Sequence, residues 1–320
     1  MYKLITFPSK KAFHFCVGCM EKEESFKKRA KHLQALETFL VPDEDYESFC
    51  QMIGSRKHHV SENVTVRLHR TADEIPWGVE KIGAPQLWSN TKGKGIKVAV
   101  IDTGISSSHS DLRGQVKGRV ITANGGLGYS GMDGHGTHVA GTIAAVANQK
   151  GIVGVAPEVE LYDVRAFGPD GTAAISDIVE GINWCIENRM NVINMSFGTS
   201  DDNLAMRNAV RRAAKAGIVL VASAGNNGGS LEYPAAYPDV IAVGALTQDN
   251  KLASFSSRGR GLDVTAPGVG IKSTWLNNSY RVLDGTSMAA AHITGMYALA
   301  LASGSRKLGR GMRKNLKAAQ

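Results

Sequence analysis

The chain is short of cysteine, of long apolar runs and, at its carboxyl end, of acidic residues. Four cysteines in 320 residues (Cys16, Cys19, Cys50 and Cys185) are too few for a disulfide-built scaffold. No apolar stretch reaches the roughly 20 residues that span a bilayer, so no membrane span is expected. Residues 1–8 run into Ser9-Lys-Lys11 without the apolar core or small-residue cleavage site of a secretory leader, which taken literally leaves the chain in the cytoplasm. The formal charge of +8 invites a nucleic-acid reading, but the charge is not evenly spread. Residues 1–71 carry 12 Lys and Arg against 9 acids, residues 303–320 carry 6 against none, and residues 72–302 carry 19 against 20. The basic excess therefore belongs to the ends. No nucleic-acid reader motif accompanies it, and no nucleic-acid partner is expected.

What is present is 43% hydrophobic residues and 36 glycines, enough for one large core and a smaller domain. Apolar runs at 97–101, 161–166, 192–197, 218–222 and 240–246 alternate with helix-like segments at 135–147, 176–188, 202–216 and 287–303. The alternation predicts an α/β fold: a doubly wound, mainly parallel sheet with helices on both faces and functional residues at the strand carboxyl ends. The first 71 residues read as a separate small α+β module, with strands at 3–7, 12–17 and 64–68 and helices at 21–37 and 43–53. The expected domains are 1–71 and 72–320.

Three residues, each in its own glycine-rich motif, carry the chemistry. Asp102 lies in Val98-Ala-Val-Ile-Asp-Thr-Gly104, His135 in Asp133-Gly-His-Gly-Thr-His-Val-Ala-Gly141, and Ser287 in Gly285-Thr-Ser-Met-Ala289. A serine hydroxyl is a poor nucleophile at neutral pH, so an imidazole must take its proton and a carboxylate must hold that imidazole in the right tautomer. Each residue has a plainer use when taken singly. Asp102 and Ser287 each suit a helix cap. His135 and His138, three apart, could bind a metal, although no third ligand is evident. Cys16 and Cys19 form half of a zinc site or a redox pair, and Cys185 reads as a buried thiol in a helix.

Taken together, in the order Asp, His, Ser, these motifs resemble the subtilisin-type serine proteases, the subtilase family. The likeness runs from about residue 75 to 302 and includes Ser196-Phe-Gly198, Ser223-Ala-Gly-Asn226 and Ala253-Ser-Phe-Ser-Ser257. It implies a serine endopeptidase with Ser287 as nucleophile, His135 as base, Asp102 as its orienting partner and the Asn226 amide as an oxyanion donor beside the Ser287 N–H. His138 becomes a structural histidine. Gly171, Thr172 and Ala173 on one side and Ser196, Phe197 and Gly198 on the other are expected to clasp an extended polypeptide substrate by strand addition. Glu232 falls where the family floors the pocket for the residue before the scissile bond, a position where a small residue is common. Its carboxylate either selects Lys or Arg or points to solvent.

The same resemblance makes residues 1–71 a propeptide that assists folding and then occupies the cleft, with a junction near Thr71–Ala72 or after Arg70 in Arg67-Leu-His-Arg70. It implies export, against the literal reading of the amino terminus, and a monomer. It implies structural calcium held by the side chains of Asp111 and Asn148 and the carbonyls of Val146, Lys150 and Ile152, with Asp73 adding a carboxylate. An all-oxygen shell of this kind suits Ca²⁺. Two departures stand out. Ala291 occupies a place where relatives carry proline, which implies an altered acyl-enzyme fate. The chain ends soon after the helix of Ser287, which implies a less covered core, lower stability or completion by a partner. The alternative function is a catalytically latent protein of this fold with the propeptide held in its cleft.

Overall fold

The computed structural model describes residues 2–65, 72–124, 126 and 133–305. They form two compact units, Met1–His69 and Arg70–Gln320. The first contains β1 (Tyr2–Thr6), α1 (Lys10–Met20), α2 (Glu24–Arg29), β2 (Lys31–Leu33), β3 (Thr38–Pro42), α3 (Tyr46–Ile53) and β4 (His59–Glu62). Its strands make one antiparallel sheet in the order β2-β3-β1-β4. The helices cover an aromatic core around Phe7, Phe13, Phe39 and Phe49.

Two expectations for this unit are corrected. Residues 12–17 are the interior of α1, not a strand. Ser9 caps the helix by accepting from the Ala12 N–H, and Phe13, Cys16 and Met20 recur at helical spacing as its buried face. Residues 21–37 are not one helix either. Their charges suit a helix surface, but α2 buries only Phe26, and without an apolar stripe the following residues gain more by pairing as β2 with β3. The fourth strand is β4, ahead of the expected 64–68, and residues 66–71, which include the expected junction, lie outside the described residues. All four cysteines are free, and Cys16 and Cys185 are buried. Among the described residues no group of three His, Cys, Asp or Glu side chains is placed to hold a metal.

The second unit contains α4 (Trp77–Lys81), β5 (Lys97–Asp102), β6 (Val116–Ile121), α5 (His135–Ala144), β7 (Glu160–Arg165), α6 (Ile175–Glu187) and β8 (Val192–Met195). It continues with α7 (Leu204–Lys215), β9 (Val219–Ser223), β10 (Ile241–Leu246), β11 (Val264–Pro267), β12 (Ile271–Trp275), β13 (Ser279–Leu283) and α8 (Thr286–Ala302). Seven strands form a parallel sheet in the order β11-β10-β9-β8-β5-β7-β6. This is the doubly wound α/β architecture expected. Its central strands are apolar on both faces, as a sheet covered on two sides requires.

One core, on the side of α5 and α8, includes Val100, Val139, Ile143 and Met296. The other, under α6 and α7, includes Ile101, Ile182, Ile193 and Val210. The chain builds β5 to β7 on one side and then crosses β5 to lay β8 on its other flank. A crevice opens at such a switch point, outside the strand carboxyl ends. α8 is apolar all round and buried along most of its length. Small residues let it approach its neighbours closely: a Cβ added at Gly295 would stand 2.5 Å from the Val155 Cβ. Ala291, at the expected proline position, is fully buried in α8. A regular helix sends its N–H back to the Ser287 carbonyl.

Candidate active site

Asp102 ends β5 with its carboxylate buried, and His135 begins α5. The His135 Nδ1 lies 2.8 Å from Asp102 Oδ1 and 3.0 Å from Oδ2. Asp102 Oδ1 also accepts the Thr103 N–H at 2.7 Å. Thr103 Oγ1 accepts the Gly136 N–H at 3.1 Å and donates to the Asp133 carbonyl at 3.2 Å, tying the strand end to the helix start. An ionised carboxylate only accepts, so Nδ1 carries the proton and Nε2 is the free base. Burial pulls the His135 pKa down, but the Asp102 charge, its hydrogen bond and the Asp133 charge outweigh it, and the net shift is upward.

Ser287 is the second residue of α8. Its hydroxyl donates to the Ser196 carbonyl at 3.1 Å, and the Ser196 hydroxyl donates back to the Ser287 carbonyl at 3.1 Å. Asn194 Nδ2 donates to Ser196 Oγ at 2.8 Å, and Thr294 Oγ1 donates to Asn194 Oδ1 at 2.8 Å. This chain fixes the end of β8, the neighbour of β5, to the first turns of α8. Among the described residues the Ser287 N–H meets no acceptor, as expected for the first turn of a helix.

Asn226 is oriented by Thr286, whose N–H and Oγ1 donate to Asn226 Oδ1 at 2.9 and 2.8 Å. With the oxygen so held, Nδ2 is left free to donate. A Cβ built on Gly285 would be 3.6 Å from Asn226 Nδ2 and 3.7 Å from the Ser287 N, so both donors border one small space. Both are donors of the kind an oxyanion takes.

A cleft of about 390 Å³ is lined by Asp102, His135, Gly171 and Ser196 to Gly198, among others. The Phe167 and Phe197 rings, 5.0 Å apart, form an apolar wall of it. Thr172 is mostly engaged internally: its N–H donates to Asp170 and its carbonyl accepts the Gly168 N–H. Ala173 packs partly against the core under α6. Glu232 is half-buried and packs against Gly198 and Gly225.

The expected calcium residues also gather. Asp111 is fully buried and accepts from Ser110 Oγ, Asn148 Nδ2, the Ile152 N–H and the Tyr280 hydroxyl. No cationic side chain pairs with it among the described residues. No backbone N–H among them donates to the carbonyls of Val146, Lys150 or Ile152. Asp73 Oδ1 accepts the N–H groups of Asn148 and Lys150, so it braces the loop through the main chain. Burial first, then the bond to Asp111, pushes the Tyr280 hydroxyl up to about 12. A buried carboxylate with hydrogen bonds but no cationic partner, beside carbonyls that no backbone N–H meets among the described residues, fits a hard cation.

His138 sits inside the fold, its Nε2 donating to the carbonyls of Ile271 and Arg281 at 3.0 and 3.1 Å. Burial lowers its pKa to about 4, so it pins α5 to the β12–β13 hairpin as a neutral ring. Sequence reasoning missed the supporting residues Thr286, Asn194 and Thr103, and gave Ser196 a substrate contact but not its hold on Ser287. Of these, Thr103 and Thr286 lay in motifs already singled out, directly beside the reactive residues.

A serine at a helix N-terminus, an imidazole held by a buried carboxylate and an oriented amide bonded to the residue before that serine are the parts of a nucleophilic serine hydrolase. The subtilase family (peptidase S8) matches residues 93–315, and the chain belongs to that family of subtilisin-type serine peptidases. It is 45% identical over 231 residues to alkaline elastase YaB of Bacillus sp. (strain YaB), covering 72% of this chain and 60% of that protein. It is 45% identical over 230 residues to subtilisin BL of Lederbergia lenta, covering 71% and 84% respectively. With subtilisin E of Bacillus subtilis (strain 168) the identity is 46% over 239 residues, covering 73% and 62%.

Proposed function

We propose that the chain is a serine endopeptidase working through an acyl-enzyme and made as a self-processing zymogen. The observation that carries the reading is the bidentate hold of Asp102 on His135 Nδ1, which leaves Nε2 as the base. The Ser287 hydroxyl leaves the Ser196 carbonyl by rotation about Cα–Cβ, gives its proton to His135 Nε2 and attacks the peptide carbonyl carbon. The oxyanion that forms takes hydrogen bonds from Asn226 Nδ2 and the Ser287 N–H. His135 returns the proton to the leaving amine, and a water activated in the same way then cleaves the ester.

Ser196 to Gly198, with Gly171 and Ala173 on either side of the internally bonded Thr172, supply main-chain contacts to an extended polypeptide. The unit Met1–His69 serves as propeptide and intramolecular inhibitor of a monomeric enzyme. Calcium would be held by Asp111, the Asn148 amide oxygen, which here accepts the Lys150 N–H, and the carbonyls of Val146, Lys150 and Ile152; there it would neutralise a buried carboxylate and stiffen the loop that Asp73 braces by its main chain.

The test is intact mass over time, with calcium, for wild type beside Ser287→Ala, together with casein hydrolysis and labelling by a fluorophosphonate. Loss of the amino-terminal unit in the wild type alone, with labelling at Ser287, is expected. A wild type that hydrolyses casein at full mass overturns self-processing. One that neither hydrolyses nor labels overturns the endopeptidase reading.

A further inference from the structure

Glu232 is a carboxylate at the site that neither the triad nor the calcium loop uses. Its N–H donates to the Ala224 carbonyl at 3.0 Å, and Tyr233 exchanges main-chain bonds of 2.8 and 2.9 Å with Thr199. Those bonds clamp it between the segment that carries Asn226 and the one that carries Ser196 to Gly198. The side chain turns into the gap between them. A Cβ on Gly198 would lie 2.3 Å from Glu232 Oε2, and one on Gly225 would lie 2.7 Å from its Cδ. Glycine on both sides is what makes room for the carboxylate.

Its hydrogen bonding is incomplete. Oε1 accepts from Asn227 Nδ2 at 3.0 Å, and that amide is oriented by Gly229 N–H and Ser257 Oγ, both of which donate to Asn227 Oδ1. Oε2 accepts nothing, and no Lys, Arg or His pairs with Glu232, among the described residues. Partial burial raises its pKa above the usual carboxylate range, the mark of a charge short of solvent and of a partner.

The segments that flank Glu232 are tied to the nucleophile. The Gly225 N–H donates to Thr286 Oγ1 at 3.3 Å, Asn226 holds Thr286, and Ser196 holds Ser287. On the reading proposed above, a substrate residue whose carbonyl carbon meets Ser287 Oγ and whose oxygen meets Asn226 Nδ2 would carry its side chain toward Gly225 and Glu232. We infer that Glu232 selects a basic residue, arginine before lysine, on the acyl side of the scissile bond; this rests on the endopeptidase reading above. A planar guanidinium offers a carboxylate two parallel N–H donors in a fixed fork, whereas an ammonium acts as a point charge. A protease of this preference has a processing point of its own in Arg67-Leu-His-Arg70.

The experiment measures kcat/KM for one peptide–coumarin scaffold carrying Arg, Lys, Gln, Phe, Leu or Glu at the acyl-side position. Wild type, Glu232→Gln and Glu232→Lys are compared after removal of the amino-terminal unit. Arg is expected to exceed Gln by about 10- to 100-fold in the wild type, the worth of a charge-assisted pair. That ratio should collapse in Glu232→Gln, and Glu232→Lys should favour the Glu substrate. Turnover with Arg no better than Gln, or a ratio unchanged in Glu232→Gln, sinks the inference alone. No turnover of any substrate, with no fluorophosphonate label on Ser287, sinks the endopeptidase reading and the inference with it.

Discussion

His135 acts as a base only when neutral, and its neighbours set the pH at which that happens. Asp102 and Asp133 stabilise the imidazolium by more than burial destabilises it. The protonated form therefore persists to higher pH than in a free histidine, whose pKa is about 6.5. For stability the sign is that of a raised group: the contribution is full below the unfolded pKa and is lost as pH rises through the folded one. For catalysis it is the reverse, because kcat/KM falls as pH drops through the same folded value. The acid limb of the kcat/KM profile should lie above the ordinary histidine range, and Asp102→Asn should move it down while lowering kcat by about 10⁴-fold. A limb that does not move would remove Asp102 from this role. His138 and His292, both lowered by burial to about 4, stay neutral over the working range and add no limb. The triad was legible in the sequence because each member sits in a dense local motif. Thr286 holding Asn226 and Ser196 holding Ser287 were not, since they join residues 60 and 91 positions apart with no shared local pattern.

At the scale of elements, the strands buried on both faces were legible and the edges were not. β6 alternates between half-buried and exposed positions, and β11 is four residues long and ends in Pro267, as edge strands permit. α1 was misread because an apolar cluster around Phe13 and Phe15 suits either period, and only the spacing of Phe13, Cys16 and Met20 separates them. α8 shows how packing overrides propensity. Gly295→Ala improves helix propensity by about 1 kcal/mol, yet the new methyl would meet the Cβ of Val155, a branch point with no freedom to swing aside. Overpacking of this kind costs about 1–3 kcal/mol, so the net effect should be destabilising. Gly18→Ala in α1, where nothing lies within 4 Å of the added atom, should instead stabilise its own unit. Calorimetry in a Ser287→Ala background checks both signs, and a stabilised Gly295→Ala would show that α8 shifts to relieve the contact.

At the scale of the molecule, Asp111 gathers parts far apart in the chain. It receives Ile152 and Asn148 from the loop after α5 and Tyr280 from the β12–β13 hairpin. Asp73 braces the same loop, and Glu74 pairs with Ile152 beside it. Four hydrogen bonds to a fully buried carboxylate do not cancel its charge, and no Lys, Arg or His forms an ion pair with it among the described residues. A divalent cation bound there only in the folded state stabilises that state by RT ln(1 + [Ca²⁺]/Kd), about 2.7 kcal/mol at a hundred times Kd. The unfolding midpoint of the catalytic unit in Ser287→Ala should therefore climb with calcium and fall on chelation. Asp111→Asn keeps the shape of the side chain and removes its charge. Its amide nitrogen cannot accept from the donors that face one of the Asp111 oxygens, so it should still fold but with a lower midpoint, while flattening the calcium dependence. A midpoint indifferent to calcium in the Asp111-bearing chain would mean that hydrogen bonds alone carry this buried charge, and that the loop is braced by Asp73 without an ion.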